Sequence, residues 1–340
     1  MAKFVNRARV CGYLRENNLV ADTRNGSGVV RGNVVIAIEE ANFAPVDVRV
    51  DYYAIAGTKS YDGLVKMLPG SAISYKDLKT QYPMMSDEEI KAKASKVEAS
   101  GSIEENLFKG RDGEVVNVAR IKGFGLFPKE TNFVPYENIT ANGYVSSLVE
   151  ETDKDGNATG RLVVNVAVPN CFTKRDGTEV KDAFVLKLVC SDPVASYLST
   201  YCSAGSTLPF IARHAVKETP VSEPIGSGAV VGVNNYVPAP ISVVQELVII
   251  GVNANPIDFT ETDGFSATDV REMLAARGVR EEKIKNGDET PRPAGAVVLP
   301  TPSASVATPA PTTAATPAPS VMPNRSGVTP NLSGLGDLTF

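Results

Sequence analysis

Asn6-Arg7-Ala8-Arg9-Val10-Cys11-Gly12-Tyr13-Leu14, near the amino terminus, returns in altered form as Asn138-Ile139-Thr140-Ala141-Asn142-Gly143-Tyr144-Val145. Each copy is followed by the same succession of segments. After the first come Arg31 to Ile38, Val48 to Ala56, and the apolar stretch Tyr61 to Leu68 with Gly70-Ser71. After the second come Arg161 to Val168, Ala183 to Val189, and Val194 to Cys202 with Gly205-Ser206. β-Branched residues in two-residue alternation mark strands. Strand, turn, strand, strand, short helix, twice in the same order, points to a duplicated unit. Short strands punctuated by turns build a small β-barrel, an architecture that closes its own edges.

Working outward, the first barrel is expected over residues 1–135, with a helical insertion at 75–105. There Ser86-Asp87-Glu88-Glu89 opens a helix with acids in its first turn, and Lys91, Lys93 and Lys96 follow. Arg111-Asp112-Gly113 is a turn before the closing strand, in which Val118, Arg120, Lys122 and Phe124 share one face. The second barrel is expected over 136–255, with turns at Asp153 to Gly156 and Lys174 to Gly177 and a Gly/Pro/Val-rich loop from Pro220 to Pro240. Ser266-Ala267-Thr268-Asp269 reads as a capping box opening a helical appendage at 256–288. Residues 289–331 are almost uncharged Pro, Ala, Thr, Ser and Val, which reads as a disordered tether. Apolar residues return in a tip at 332–340.

Composition excludes several classes. With 340 residues and a hydrophobic fraction of 43%, the chain can bury two cores. No apolar run spans a bilayer and the first residues lack the apolar centre of a signal peptide, so a cytoplasmic location is expected. Four cysteines without CxxC spacing and a single histidine, His214, give no metal site and no cofactor, and the thiols read as reduced. There is no GxxxxGK[ST] loop, and Asp153 and Asp155 belong to a turn, so no enzyme is expected. The net charge of −5 hides an asymmetry: residues 1–75 carry nine Lys/Arg against seven Asp/Glu, and 106–136 five against three, whereas 137–255 carry eight against twelve. The first barrel is the one whose charge suits a phosphate backbone.

Asn6-Arg7, Val10, Gly12, Gly28, Gly32 and the apolar run Val34 to Ile38 give the chain a pattern that resembles the bacterial and phage single-stranded DNA-binding proteins. The resemblance implies the OB fold, a five-stranded Greek-key barrel, and with the duplication two such barrels in tandem in a mainly β chain, where the usual family member has one. It also implies sequence-independent binding of single-stranded DNA by base stacking and backbone contacts, in replication, recombination or repair, with possible homo-oligomerisation. By the same resemblance, a low-complexity tail ending in an acidic tip with a terminal Phe recruits replication and repair proteins, here through Asp337, Leu338 and Phe340.

Candidate DNA-binding residues follow from charge and alternation. Arg7 and Arg9 share one face of the first strand; a solvated face is the plain alternative, but the matching positions of the repeat, taken as Ile139 and Ala141, carry no charge. Arg31 stands at the head of the second strand. Tyr53 shares a face with Arg49, opposite to Tyr52. Phe124 follows Arg120 and Lys122, where a barrel-closing core role competes with stacking. Lys59 lies just beyond the third strand. In the second copy Phe172, Lys174 and Arg175 sit on a projecting hairpin beside Asp176, Glu179 and Asp182. A rival reading is a structural protein of a virus particle with a Pro/Thr/Ala linker and no DNA role. A basic, aromatic face on one copy only distinguishes the two.

Overall fold

The computed structural model describes residues 5–24, 26–153, 155–170, 172–173, 177–220, 241–252 and 267–287. The expected linker at 289–331, the tip with Asp337, Leu338 and Phe340, Lys174 and Arg175, and most of the Pro220 to Pro240 loop lie outside them.

The first copy comprises β1 (Asn6–Asn17), β2 (Val20–Arg24), β3 (Ser27–Ile38), β4 (Val46–Ile55), α1 (Lys59–Val65), α2 (Tyr75–Gln81), α3 (Asp87–Lys93), β5 (Lys96–Lys109) and β6 (Val115–Pro128). β1 pairs with β3, β3 with β4, β5 with β1 and β5 with β6, all antiparallel, and a parallel β4–β6 pairing closes the ring. β2 is an added hairpin strand on β3.

The second copy comprises β7 (Tyr136–Thr152), β8 (Ala158–Pro169), β9 (Phe172–Thr173), β10 (Glu179–Val180), β11 (Ala183–Cys190), α4 (Val194–Tyr201), β12 (Thr207–Pro220) and β13 (Ile241–Val252), with α5 (Ala267–Asn286) after it. Its ring repeats the first: β7–β8, β8–β11, β12–β7 and β12–β13 antiparallel, closed by parallel β11–β13. In each copy the helix falls between the third and fourth strands of the ring, and the first strand pairs with both the second and the fourth. That is the OB Greek key, and the mainly β expectation holds.

The glycine common to both copies explains how one strand serves two neighbours. A Cβ on Gly12 would lie 2.1 Å from the Ala37 carbonyl oxygen, and one on Gly143 would lie 2.0 Å from Val166 Cγ1. Only glycine lets the strand curl there. At Tyr13 β1 passes from β5, where Tyr13 faces Lys96, to β3, where it faces Ala37. One continuous core, including Leu14, Ile36, Tyr52, Ile121, Ile139 and Phe210, runs through both barrels.

Three expectations need correction. The insertion is not helical to residue 105: helix ends with α3 at Lys93, and Lys96 to Glu105 already belong to β5. Val97, Ala99, Gly101 and Ile103 are buried there between β1 and β6. The matches to Arg7 and Arg9 are not Ile139 and Ala141, which point into the core as Ala8 and Val10 do. With Gly12 set against Gly143, the face-matched residues are Asn138 and Thr140, which are likewise uncharged. Finally, the helix at 256–288 is no appendage. It is described from Ala267, so Ser266 of the expected capping box lies outside, and α5 packs Val270 and Met273 onto Ala167 and Ala183 of the second barrel.

The barrels are joined edge to edge. β1 and β7 pair antiparallel, Ala8 facing Ile139, Arg9 facing Asn138 and Arg7 facing Thr140. This makes the two rings one eleven-stranded sheet among the described residues. Glu40, after β3, accepts from the Glu137 N–H at 3.2 Å and from Arg213 at 3.0 Å. The Arg213 guanidinium also lies 3.6 Å from the ring centroid of Phe43. The Glu137 carboxylate in turn accepts from the His214 backbone N–H at 2.8 Å and pairs with its Nδ1, so the lone histidine is spent between β7 and β12 of the second barrel.

Candidate nucleic-acid interface

Residues that alternate outward on β3, β4, β6, β5 and β1 form one face of the first barrel. Cross-strand register places Arg31 beside Tyr53, Val35 beside Arg49, and Asn33 beside Asp51. Asp51 faces Lys122 across the parallel pair, Lys122 faces Ser102, and Arg120 faces Glu104. Arg9 then faces Ser100 on β5. The sequence candidates on β1, β3, β4 and β6 therefore converge on one surface, which the β1–β7 pairing continues onto Asn138 and Thr140. Lys59 is exposed in the first turn of α1, off the strand rows.

Two aromatics stand out from this face because the strands alternate and β6 carries a bulge. Tyr53 is 46% exposed, while Tyr52 is fully buried and donates to the Gly125 carbonyl at 3.1 Å. Ser100 pairs with Gly125 but Gly101 pairs with Gly123, so Phe124 is the extra residue of a bulge. It is 51% exposed, which removes the barrel-closing alternative for its side chain. Past the bulge the alternation shifts by one, and Phe127, which sequence reading missed, emerges opposite Glu98 and is 53% exposed.

The cations differ in freedom. Arg31 lies 3.1 Å from Asp22, whose carboxyl is held below its ordinary range first by the Thr23 N–H and then by this guanidinium. Arg49 Nε donates to Asp51 at 2.8 Å. Glu104 is shared by Arg120 at 3.6 Å and Lys122 at 3.4 Å. Arg7 and Arg9 are exposed and make no ion pair with a described residue. Such a surface offers flat rings for stacking and guanidinium groups at strand spacing for phosphates.

The second barrel has no such face among its described residues. Arg161 is held by Glu246 and Glu151, Lys217 by Glu151, and Arg213 by Glu40. Among the described residues its outer strand row keeps one exposed cation, Lys187, its exposed ring Tyr201 stands on α4, and its other exposed large side chains include the aliphatic Val149, Ile211, Val244 and Ile250. Phe172 enters β9 opposite Val180. Lys174 and Arg175 of the same hairpin lie outside the described residues.

At one end of the face lies a cleft of about 600 Å³ between β5 and β6 of the first barrel, the β8 end and β11 of the second, and α5. Ser102, Asn106, Lys122 and Phe124 line it from the first barrel, Asn170 and Phe184 from the second, and Ile284 from α5. It is held in shape by Glu105, which is buried and accepts from Arg277 Nε at 2.9 Å, from Val185 N–H at 3.1 Å, and from Arg280.

A protein-family model described as YorF matches residues 5–289. The chain belongs to the YorF family. The YorF match takes in both barrels and α5, the whole of the body described above. No curated protein matches this YorF chain by sequence. Among solved structures it is similar to a deletion mutant of the single-stranded DNA binding protein from Thermus aquaticus, with 12% identity and a TM-score of 0.45 over 76% of this chain and 98% of that one. For the wild-type Thermus aquaticus protein the values are 9% and 0.42, over 77% and 100%. For the small single-stranded DNA-binding protein from Streptomyces coelicolor they are 13% and 0.21, over 34% and 91%. These likenesses are slight, and the OB assignment rests on the strand order of the two rings.

Proposed function

We propose that this YorF protein binds single-stranded DNA without sequence preference, through the outer face of its first barrel. The observation that carries the reading is the convergence of Arg7, Arg9, Arg49 and Lys122 with Tyr53 and Phe124 on one continuous surface, absent from the described part of the second copy. Exposed rings stack on any base, which gives affinity without sequence readout, and the cations track the backbone. Duplex DNA keeps its bases stacked inside and offers that surface only phosphates. In this reading the protein coats transient single strands in replication, recombination or repair, and the tip with Asp337, Leu338 and Phe340 recruits protein partners.

The test is a salt-titrated affinity measurement on oligo-dT against duplex of the same length. Tight binding of oligo-dT that weakens with salt, and much weaker duplex binding, is the expected result. Equal affinity for the two, or none for either, refutes the reading, and the second outcome favours a structural role in a virus particle.

A further inference from the structure

The cleft beneath α5 is not part of the open strand surface, yet it shares two walls with it. Lys122 and Phe124 stand on the outer face and also line the cleft. Its floor is apolar: Leu107 and Phe184 are buried, and so is Ile284 of α5. Its rim is polar and uncharged at Ser102, Asn106 and Asn170. Its volume, about 600 Å³, falls within the range of sites that enclose a small organic molecule.

The charges lining the cleft nearly cancel. Glu104 takes up Arg120 and Lys122, while Glu105 and Asp182 take up Arg280. A free phosphate entering it would meet these carboxylates, so the cleft suits an uncharged, flat, hydrogen-bonding group. Hydrogen bonding in its wall comes from the Asn106 and Asn170 amides, each of which can donate and accept.

We propose that the cleft takes one nucleobase of the bound strand, turned off the outer face past Phe124 and laid against Phe184. The amides of Asn106 and Asn170 bond the ring nitrogens and carbonyl oxygens of that base, and the sugar-phosphate stays outside by Lys122. The proposal rests on the single-strand reading above. It adds that α5 and the second barrel, which carry no basic aromatic face of their own among the described residues, take part in binding by enclosing a base.

The chain contains no tryptophan, so one introduced at a chosen place reports on that place alone. Phe184→Trp puts a reporter in the cleft floor, and Tyr53→Trp puts one on the open face. Each full-length variant is titrated with oligo-dT of about 16 nucleotides, with binding followed independently by fluorescence polarisation of a labelled strand. The expected result is quenching of both tryptophans with the same half-point as the polarisation change. Quenching of the Tyr53→Trp reporter with unchanged emission from the Phe184→Trp reporter overturns the cleft proposal and leaves single-strand binding standing. Absence of any polarisation change overturns both. Should Phe184→Trp fail to fold, Asn170→Trp on the half-buried rim gives the same readout.

Discussion

Glu105 in the first barrel accepts a hydrogen bond from the backbone N–H of Val185 in the second, at 3.1 Å. The same carboxylate holds Arg277 and Arg280 of α5, so one buried side chain ties three parts of the body together. Glu105→Ala leaves the Val185 N–H without its acceptor and takes from Arg277 and Arg280 their buried carboxylate, Glu281 and Asp182 remaining to them. The expected loss of stability is about 1–3 kcal/mol, read as a lowered midpoint in urea. A change of a few tenths would mean that α5 does not brace the barrels.

Tyr53→Ala and Phe124→Ala each remove an exposed ring. Loss of one base stack costs about 1–3 kcal/mol of binding, a drop in oligo-dT affinity of roughly five- to 150-fold. Stability should move by no more than about 0.5 kcal/mol, as for other exposed substitutions. A variant that unfolds early while binding normally contradicts the surface assignment.

The charge argument is checked through salt. Replacing Arg7 and Arg9 together by alanine should flatten the dependence of log affinity on log salt concentration. The expected change is about 0.7 in slope for each phosphate that the variant no longer neutralises. An unchanged slope would place the strand elsewhere on the barrel.

Tyr52 tests the other face of the same strand. Its buried hydroxyl donates to Gly125 at 3.1 Å, and Tyr52→Phe leaves that carbonyl unsatisfied at a cost of about 1–2 kcal/mol. The thermal midpoint should fall while DNA affinity per folded molecule stays the same.

Alkali should weaken the fold through Tyr13. Burial first, and the Glu39 carboxylate second, raise its hydroxyl from 10.0 to about 12. The fold favours the neutral phenol, so the stability this contributes is present below pH 10 and is lost as the pH rises through about 12. Tyr13→Phe should be less sensitive over that interval in a pH series of denaturation midpoints.

The repeat was readable because Gly12 and Gly143 meet a requirement of the ring itself, and because alternation in β3, β4, β8 and β11 is undisturbed. Alternation also placed Arg49, Tyr53, Arg120 and Lys122 on outward rows. It failed where backbone geometry departs from a period of two, as at the Phe124 bulge that hides Phe127. It failed again at the start of β5, where helical signals of α2 and α3 run directly into strand. Glu105 gave no local sign at all. Its burial comes from Arg277 and Arg280, far along the chain, and only packing reveals it.

The β1–β7 pairing has a local dyad through the facing pair Ala8 and Ile139, since equating Gly12 with Gly143 makes these two residues equivalents. Two separate copies of the first barrel joined through the same strand would set Arg7 of each directly against Arg9 of the other. Like charges facing across a ladder are destabilising, and a symmetric interface would impose that repulsion twice. In this chain Arg7 meets Thr140 and Arg9 meets Asn138 instead. Fusing the halves into one polypeptide lets one half bear the arginines and the other keep the seam neutral, a division of labour closed to a homodimer built on the same seam.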